Sequence, residues 1–177
     1  MAFWSEQASE AKRNYRFRIT LDQEVLWWAK TVTLPSFDVS EVEHNHMDNK
    51  YYFPGRVSWS EVSMTLVDPI DPDAATKLSA LLSKMGYNIQ SKDNAPSKKT
   101  IDKSNNTITC LIEVLDKDGT TVEQWTLNNA FIKAAKYGDL DYSNDELKTI
   151  ELTLRYDWAT HDDTYFKLGA TTTTTTT

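Results

Sequence analysis

Cysteine occurs once in the 177 residues, as Cys110. A single thiol excludes an intramolecular disulfide framework and a zinc site built on several thiolates. It fits a chain made in a reducing compartment. Glycine is scarce too: Gly55, Gly86, Gly119, Gly138 and Gly169 stand too far apart for a GxGxxG turn, a Walker loop or a GxSxG elbow. Phosphate cradles and nucleophile elbows are therefore unsupported. No apolar run approaches the roughly 20 residues that span a bilayer, so no membrane insertion is expected. The start, Met1-Ala2-Phe3-Trp4-Ser5-Glu6, lacks the basic and apolar stretches of a signal peptide. Positive charge is in the minority, with 19 Lys+Arg against 26 Asp+Glu and a net charge of −7. Proteins that grip nucleic acid draw most of their affinity from lysine and arginine. A wall that nucleic acid merely slides past has no such requirement.

What the chain does have is alternation. Hydrophobic residues at 40% and charged residues at 25% make a globular rather than a disordered balance, and their spacing is mostly two, the period of half-buried strands. Tyr15, Phe17, Ile19 and Leu21 alternate with Arg16, Arg18 and Thr20, and Asp22-Gln23 then turns the chain. A second strand is expected from Val25 to about Leu34, where Pro35 redirects it. Phe37 to Val42 alternate, His44 to Pro54 read as an excursion from the sheet, and strand character resumes from Val57 to Val67.

Ala74, Ala75, Leu78, Leu81, Leu82 and Met85 fall at helical spacing, with Asp71 as expected N-cap, Pro72 at the first position and Gly86 past the end. Residues 88–106 read as a polar surface insertion. A hairpin follows, with Ile108, Cys110, Ile112 and Val114 on one arm, a turn at Asp118-Gly119, and a return from Val122 to about Ala135. The last strand places Ile150, Leu152, Leu154, Tyr156 and Trp158 on one face. The sum is a mainly β chain, an antiparallel β-barrel or sandwich with one α-helix. We expect a single domain over 1–170 with an arm at 1–14, and a tail of seven threonines at 171–177.

Catalytic motifs are weak. Cys110 lies inside an apolar alternation, where an inert buried thiol is expected. His44-Asn45-His46 puts two rings on one side of an extended chain, but the further ligands and the ββ-helix context of a nuclease are missing. His161 with Asp162 and Asp163, and the acids Asp139 and Asp141, sit in segments where carboxylates commonly cap and solvate turns. Trp27, Trp28, Tyr51, Tyr52, Phe53 and Trp59 would suit a sugar or single-strand platform, yet most fit strand alternation and packing. No enzyme, cofactor or metal is expected.

The order of the pieces is more informative than any one of them. Ala29-Lys30-Thr31-Val32-Thr33-Leu34-Pro35-Ser36-Phe37-Asp38-Val39, then Tyr52-Phe53-Pro54-Gly55-Arg56, a strand with Trp59 and Val62 to Leu66, Asp68, one helix, and the closing Thr149 to Trp158 stand in sequence. This order resembles the tail tube proteins of contractile-tailed bacteriophages, the T4-like family related to type VI secretion and phage-derived injection tubes, over about Tyr15 to Trp158. The 88–106 segment and the threonine tail depart from that pattern.

The resemblance implies a structural protein whose hexameric rings stack into a tube inside a contractile sheath, in a virion tail assembled in the host cytoplasm. Its implied partners are further copies of itself, the sheath protein, the baseplate or tube initiator and the tail terminator. DNA would pass through the lumen without specific binding. Six times −7 gives −42 per ring, and acids on the inner wall would keep DNA from sticking; Glu41, Glu43, Glu151 and Asp157 are the candidates. The segment His44, Asn45, His46, Met47, Asp48, Asn49, Lys50, Tyr51, Tyr52 and Phe53 mixes polar and aromatic groups as a contact between rings would. Lys92, Lys98, Lys99 and Lys103 are candidates for a face turned to the sheath, and Phe3 and Trp4 for an arm packed on a neighbour. The threonine tail is expected to add a strand to a neighbouring subunit or the sheath. Two alternatives stay open: a tube of a phage-derived injection or secretion device, and a soluble β-sandwich module binding glycans or single strands.

Overall fold

The computed structural model describes residues 11–71, 73–86, 107–143 and 145–162. The elements, in chain order, are β1 (Phe17–Leu21), β2 (Glu24–Val25), β3 (Ala29–Val32), β4 (Phe37–His46), β5 (Asn49–Trp59), β6 (Val62–Val67), α1 (Ala74–Lys84), β7 (Ile108–Leu115), β8 (Thr121–Lys136), β9 (Thr149–Arg155) and β10 (Trp158–Asp162). Eight strands form one antiparallel sheet in the order β2-β1-β7-β8-β9-β6-β3, with β10 also on β8; β4 and β5 form a separate two-stranded sheet.

The 16-residue β8 serves two neighbourhoods. Its first half pairs with β7 and β10, its second half with β9. Asn129 at φ 53° and a register shift against β7, between Leu127 and Ala130, bend it between the two. The sheet therefore curls until its ends approach, and the segment between β2 and β3 stitches them: Leu26 N–H donates to Ile19 C=O at 2.8 Å and Val67 N–H to Trp28 C=O at 2.9 Å. The core lies inside this curl. Ile19, Ile112, Cys110 and Leu127 face Met64, Leu152 and Leu154, all essentially buried.

The helix closes one side of the core through Ala74, Leu78 and Leu82. Its cap is Asp73 rather than the expected Asp71: the Asp73 carboxylate accepts the Ala75 N–H at 3.0 Å, and Thr76 Oγ1 donates to the same carboxylate. Two acids two residues apart are equivalent as caps by type, and the helix starts at Ala74, directly after Asp73. Pro72 lies outside the described residues. Gly86, at φ 90°, takes the expected left-handed place after the end.

Three other expectations change. The strand from Val25 to Leu34 is two strands, because the chain turns at Leu26–Trp28 to bury Leu26 and Trp28. The run from Val57 to Val67 is broken between Trp59 and Val62, where it passes from the two-stranded sheet to the large one. The closing strand stops at Arg155; Trp158 is half exposed and starts β10, pairing with Asn128. Asp157 N–H donates to the Asn128 carbonyl at this change of partner.

Candidate functional site

The segment expected to leave the sheet between His44 and Pro54 is itself a β-hairpin. Its arms pair from Phe37↔Trp59 to His46↔Asn49 around the two-residue turn Met47-Asp48. Every residue from Phe37 to Ser58 is exposed. Sequence alternation faded here because no face is buried within the chain, so nothing requires one face to be apolar. A shift in register between Val39 and Glu41 sets Gly55 and Arg56 against Ser40. Arg56 N–H donates to Ser40 Oγ at 2.8 Å. A Cβ on Gly55 would stand 2.9 Å from the Ser40 carbonyl oxygen, so the close approach needs glycine.

Register sorts the hairpin into two faces. One carries Phe37, Val39, Val57 and Trp59 near its base, then Glu41, Glu43, Pro54, Tyr52 and Lys50 further out; the other carries Val42, His44 and His46 with Phe53 and Tyr51. At the base, Phe37 stacks edge-on against Trp59 at 5.3 Å, and Trp59 lies 5.9 Å from buried Tyr156, which ties the hairpin to the core. Burial raises the Tyr156 phenol above its ordinary pKa. An isolated two-stranded hairpin is marginal in water. This one also holds Val39, Val42, Tyr51, Tyr52, Phe53 and Val57 in water, a large exposed apolar surface.

The four candidate wall acids do not share one element. Glu41 and Glu43 sit on one hairpin face, and Glu43 pairs with Lys50 at 3.0 Å. Glu151 stands on the outer face of β9, 3.4 Å from Lys136. Asp157 lies between β9 and β10, where it accepts from Asn129 Nδ2 at 3.0 Å. The outer face near Glu151 is threonine-rich, with Thr65, Thr149 and Thr153, and Arg155 lies 3.7 Å from Glu61. The face of β9 opposite its buried residues is thus polar, with its charges largely matched. Phe3, Trp4, Lys92, Lys98, Lys99, Lys103 and the threonine tail lie outside the described residues.

The expected thiol chemistry is settled by burial: Cys110 is fully enclosed and its pKa is pushed up to about 12. His161 lies against Trp125 and 3.7 Å from Glu123. Among the described residues no three His, Cys, Asp or Glu side chains gather as metal ligands, and no helix is long and apolar enough to cross a membrane.

Further features come from the three-dimensional arrangement. Between β1, β7 and β3 runs a cleft of about 400 Å³ with cations around an apolar floor, including Lys12, Arg16 and Lys30 above Phe17, Leu34 and Val114. Its signal was the run Lys12-Arg13 followed by Arg16, in a chain otherwise acidic. The β8–β9 connection exposes Leu140, Tyr142 and Leu147 among Asp139, Asp141, Asp145 and Glu146. On the outer face of β1 and β7, Arg18 grips nearly buried Glu113 with two hydrogen bonds of 2.7 and 2.8 Å, and Thr121 adds a third at 2.9 Å. The Arg18 contact holds the Glu113 carboxyl below its usual range against the opposing effect of burial.

Residues 13–160 match the family described as T4-like virus tail tube protein gp19. Among solved structures, a sheath/tube terminator of the PVC extracellular contractile injection system in its extended state superposes with a TM-score of 0.67 at 14% identity, covering 88% of this chain and 99% of that one. The tube-terminating cap of the anti-feeding prophage gives 0.66 at 16% identity over 92% and 99%. The PVC sheath-tube complex gives 0.64 at 16% over 88% and 93%. At such identities the likeness shows a shared fold. No curated protein matches the chain by sequence.

Proposed function

This chain belongs to the T4-like virus tail tube protein family, and from that premise we propose that it assembles into hexameric rings that stack within a sheath. It is a structural subunit of the tube of a contractile, phage-like device. The observation that carries the finer reading is the β4–β5 hairpin, exposed on both faces and attached to the core only at its base. In the assembled tube residues 44–53 sit on the adjacent ring, and the apolar groups of the hairpin leave water there.

The open strands β3 and β10 are completed by neighbouring copies, which removes exposed edges. Glu41, Glu43, Glu151 and Asp157 contribute to a wall along which DNA moves without specific contacts. Phe3 and Trp4 pack on a neighbour, and the lysines at 92, 98, 99 and 103 meet the sheath. The sheath, the baseplate or tube initiator and the terminator are the further partners, in a virion tail built in the host cytoplasm. One domain spans 1–170, and no catalysis is assigned.

A second reading, the tube of an injection device, is favoured by the likeness to the PVC and anti-feeding prophage structures. It shares every physical feature above and differs in cargo. Negative-stain microscopy of the purified full chain tests the proposal: rings with sixfold symmetry, and tubes of stacked rings, are expected. A monodisperse monomer at every concentration, with glycan or single-strand binding on the hairpin aromatics, refutes it.

A further inference from the structure

The basic cleft and the acidic loop lie at opposite ends of the same sheet. Leu34, at the cleft, follows Thr33, whose N–H donates to Ser63 C=O near the start of β6. The loop meets the other end of β6, where Val67 pairs with Thr149 and Asp68 N–H donates to Lys148 C=O. The intervening strand spans roughly 17 Å, so one copy cannot bring its own loop into its own cleft without unmaking the sheet.

The two ends are complementary. The loop offers Asp139, Asp141 and Asp145, while its one lysine, Lys148, is already held by Asp68 at 2.7 Å. Its apolar tips stand in water: Leu140 is 84% exposed and Leu147 74%. The cleft offers Arg13 and Lys30 beside an apolar floor, and among the described residues its one lining acid, Glu123, already receives Lys12. An acidic, apolar projection at one end and a basic, apolar recess at the other make a head-to-tail pair, the heterologous contact that repeats from copy to copy.

We propose that the 137–148 loop of one copy seats in the Lys12–Lys30 cleft of the next, with Leu140 on the apolar floor and Asp139 and Asp145 against Arg13 and Lys30. The contact rests on the reading of this chain as a self-assembling subunit, and it adds an oriented, salt-sensitive joint to the hairpin contact. Its apolar centre is flanked by exposed charge pairs, which set register and partner choice and weaken as salt rises.

The test uses two charge-reversed forms of the full chain, Asp139→Lys with Asp145→Lys, and Arg13→Glu with Lys30→Glu. All four positions are exposed or at the cleft rim, and circular dichroism verifies folding. Each form alone is expected to raise the concentration needed for assembly, read by pelleting and microscopy, by at least about tenfold at about 0.1 M salt. Mixed in equal amounts, the two should assemble within about threefold of the unaltered protein, because each loop then meets a cleft of opposite sign.

Normal assembly of either form alone overturns the contact. So does a mixture that does no better than its parts, which would give the cleft another occupant such as residues 1–10. If the unaltered chain forms neither rings nor tubes, the subunit reading itself fails, an outcome separable from the others because it needs no variant.

Discussion

Replacing Val42 and Phe53 with alanine asks whether the hairpin serves the single chain or the assembly. The two residues are directly opposed on one hairpin face and are 59% and 56% exposed. Covering what they now show to water removes on the order of 200 Å² of apolar surface, worth about 5 kcal/mol at about 25 cal/mol per Å². The alanine methyls retain part of this, and interfaces return less than area suggests, so about 2–3 kcal/mol per contact is the expected loss. That corresponds to a roughly 30- to 150-fold rise in the concentration at which tubes form. Within the single chain, only a cross-strand pair worth about 0.2–1 kcal/mol disappears. Sedimentation of the variant against concentration, beside a urea melt in dilute solution, separates the two effects. An unchanged assembly threshold refutes the docking of this face. A melt weakened by more than about 2 kcal/mol instead places the pair in the chain's own core.

Three further expectations follow from individual contacts. Because Arg18 holds the folded Glu113 carboxyl low, its contribution to stability is complete above the ordinary carboxylate pKa and fades as pH falls through the lowered folded value. Glu113→Gln should cost about 1–3 kcal/mol at pH 7 and less near pH 3, and equal cost at both would remove the ion pair as the cause. Cys110, with its thiol pushed up to about 12, should react with a disulfide reagent at pH 8 only as fast as the protein unfolds; labelling of the native protein within minutes contradicts its enclosure. Gly55→Ala should force the strands apart at Ser40, speeding hydrogen exchange at the Arg56 amide at least about tenfold while leaving the global melt within about 1 kcal/mol. Unchanged exchange there would show that the hairpin absorbs the methyl.

The sequence disclosed the strands that have an inside. Ile19 and Leu21, Ile108 to Ile112, and Ile150 to Leu154 alternate because each turns one side to the core, and the structure keeps them in that phase. The turns at Asp22-Gln23 and Asp118-Gly119 were readable from residue type, and both carry positive φ angles. Legibility fell where burial within one chain is not the organising force. His44 to Pro54 show no clean period, since no face of that hairpin is buried within the chain and neither need be apolar. Trp158 continued the parity of β9 and so concealed the change of partner at Asp157. The cleft gathers residues from β1 and β3 with others from β7, far along the chain, which no local pattern announces. The family order, in contrast, was visible from the Leu34-Pro35 turn, the Tyr52 to Arg56 segment and the single helix taken together.

The pairing order of the sheet bears on synthesis. β1 finds its main neighbour only in β7, and β6 finds one of its two only in β9, so the first half of the chain leaves the ribosome without the strands that flank it. Such distant pairings close slowly, and a chain emerges from its N-terminus onward. The β4–β5 hairpin is therefore translated long before the scaffold that presents it exists, and Trp59 at its base meets Tyr156 only once β9 has been made. A chain arranged in this way presents the hairpin on a finished scaffold only when translation is nearly complete.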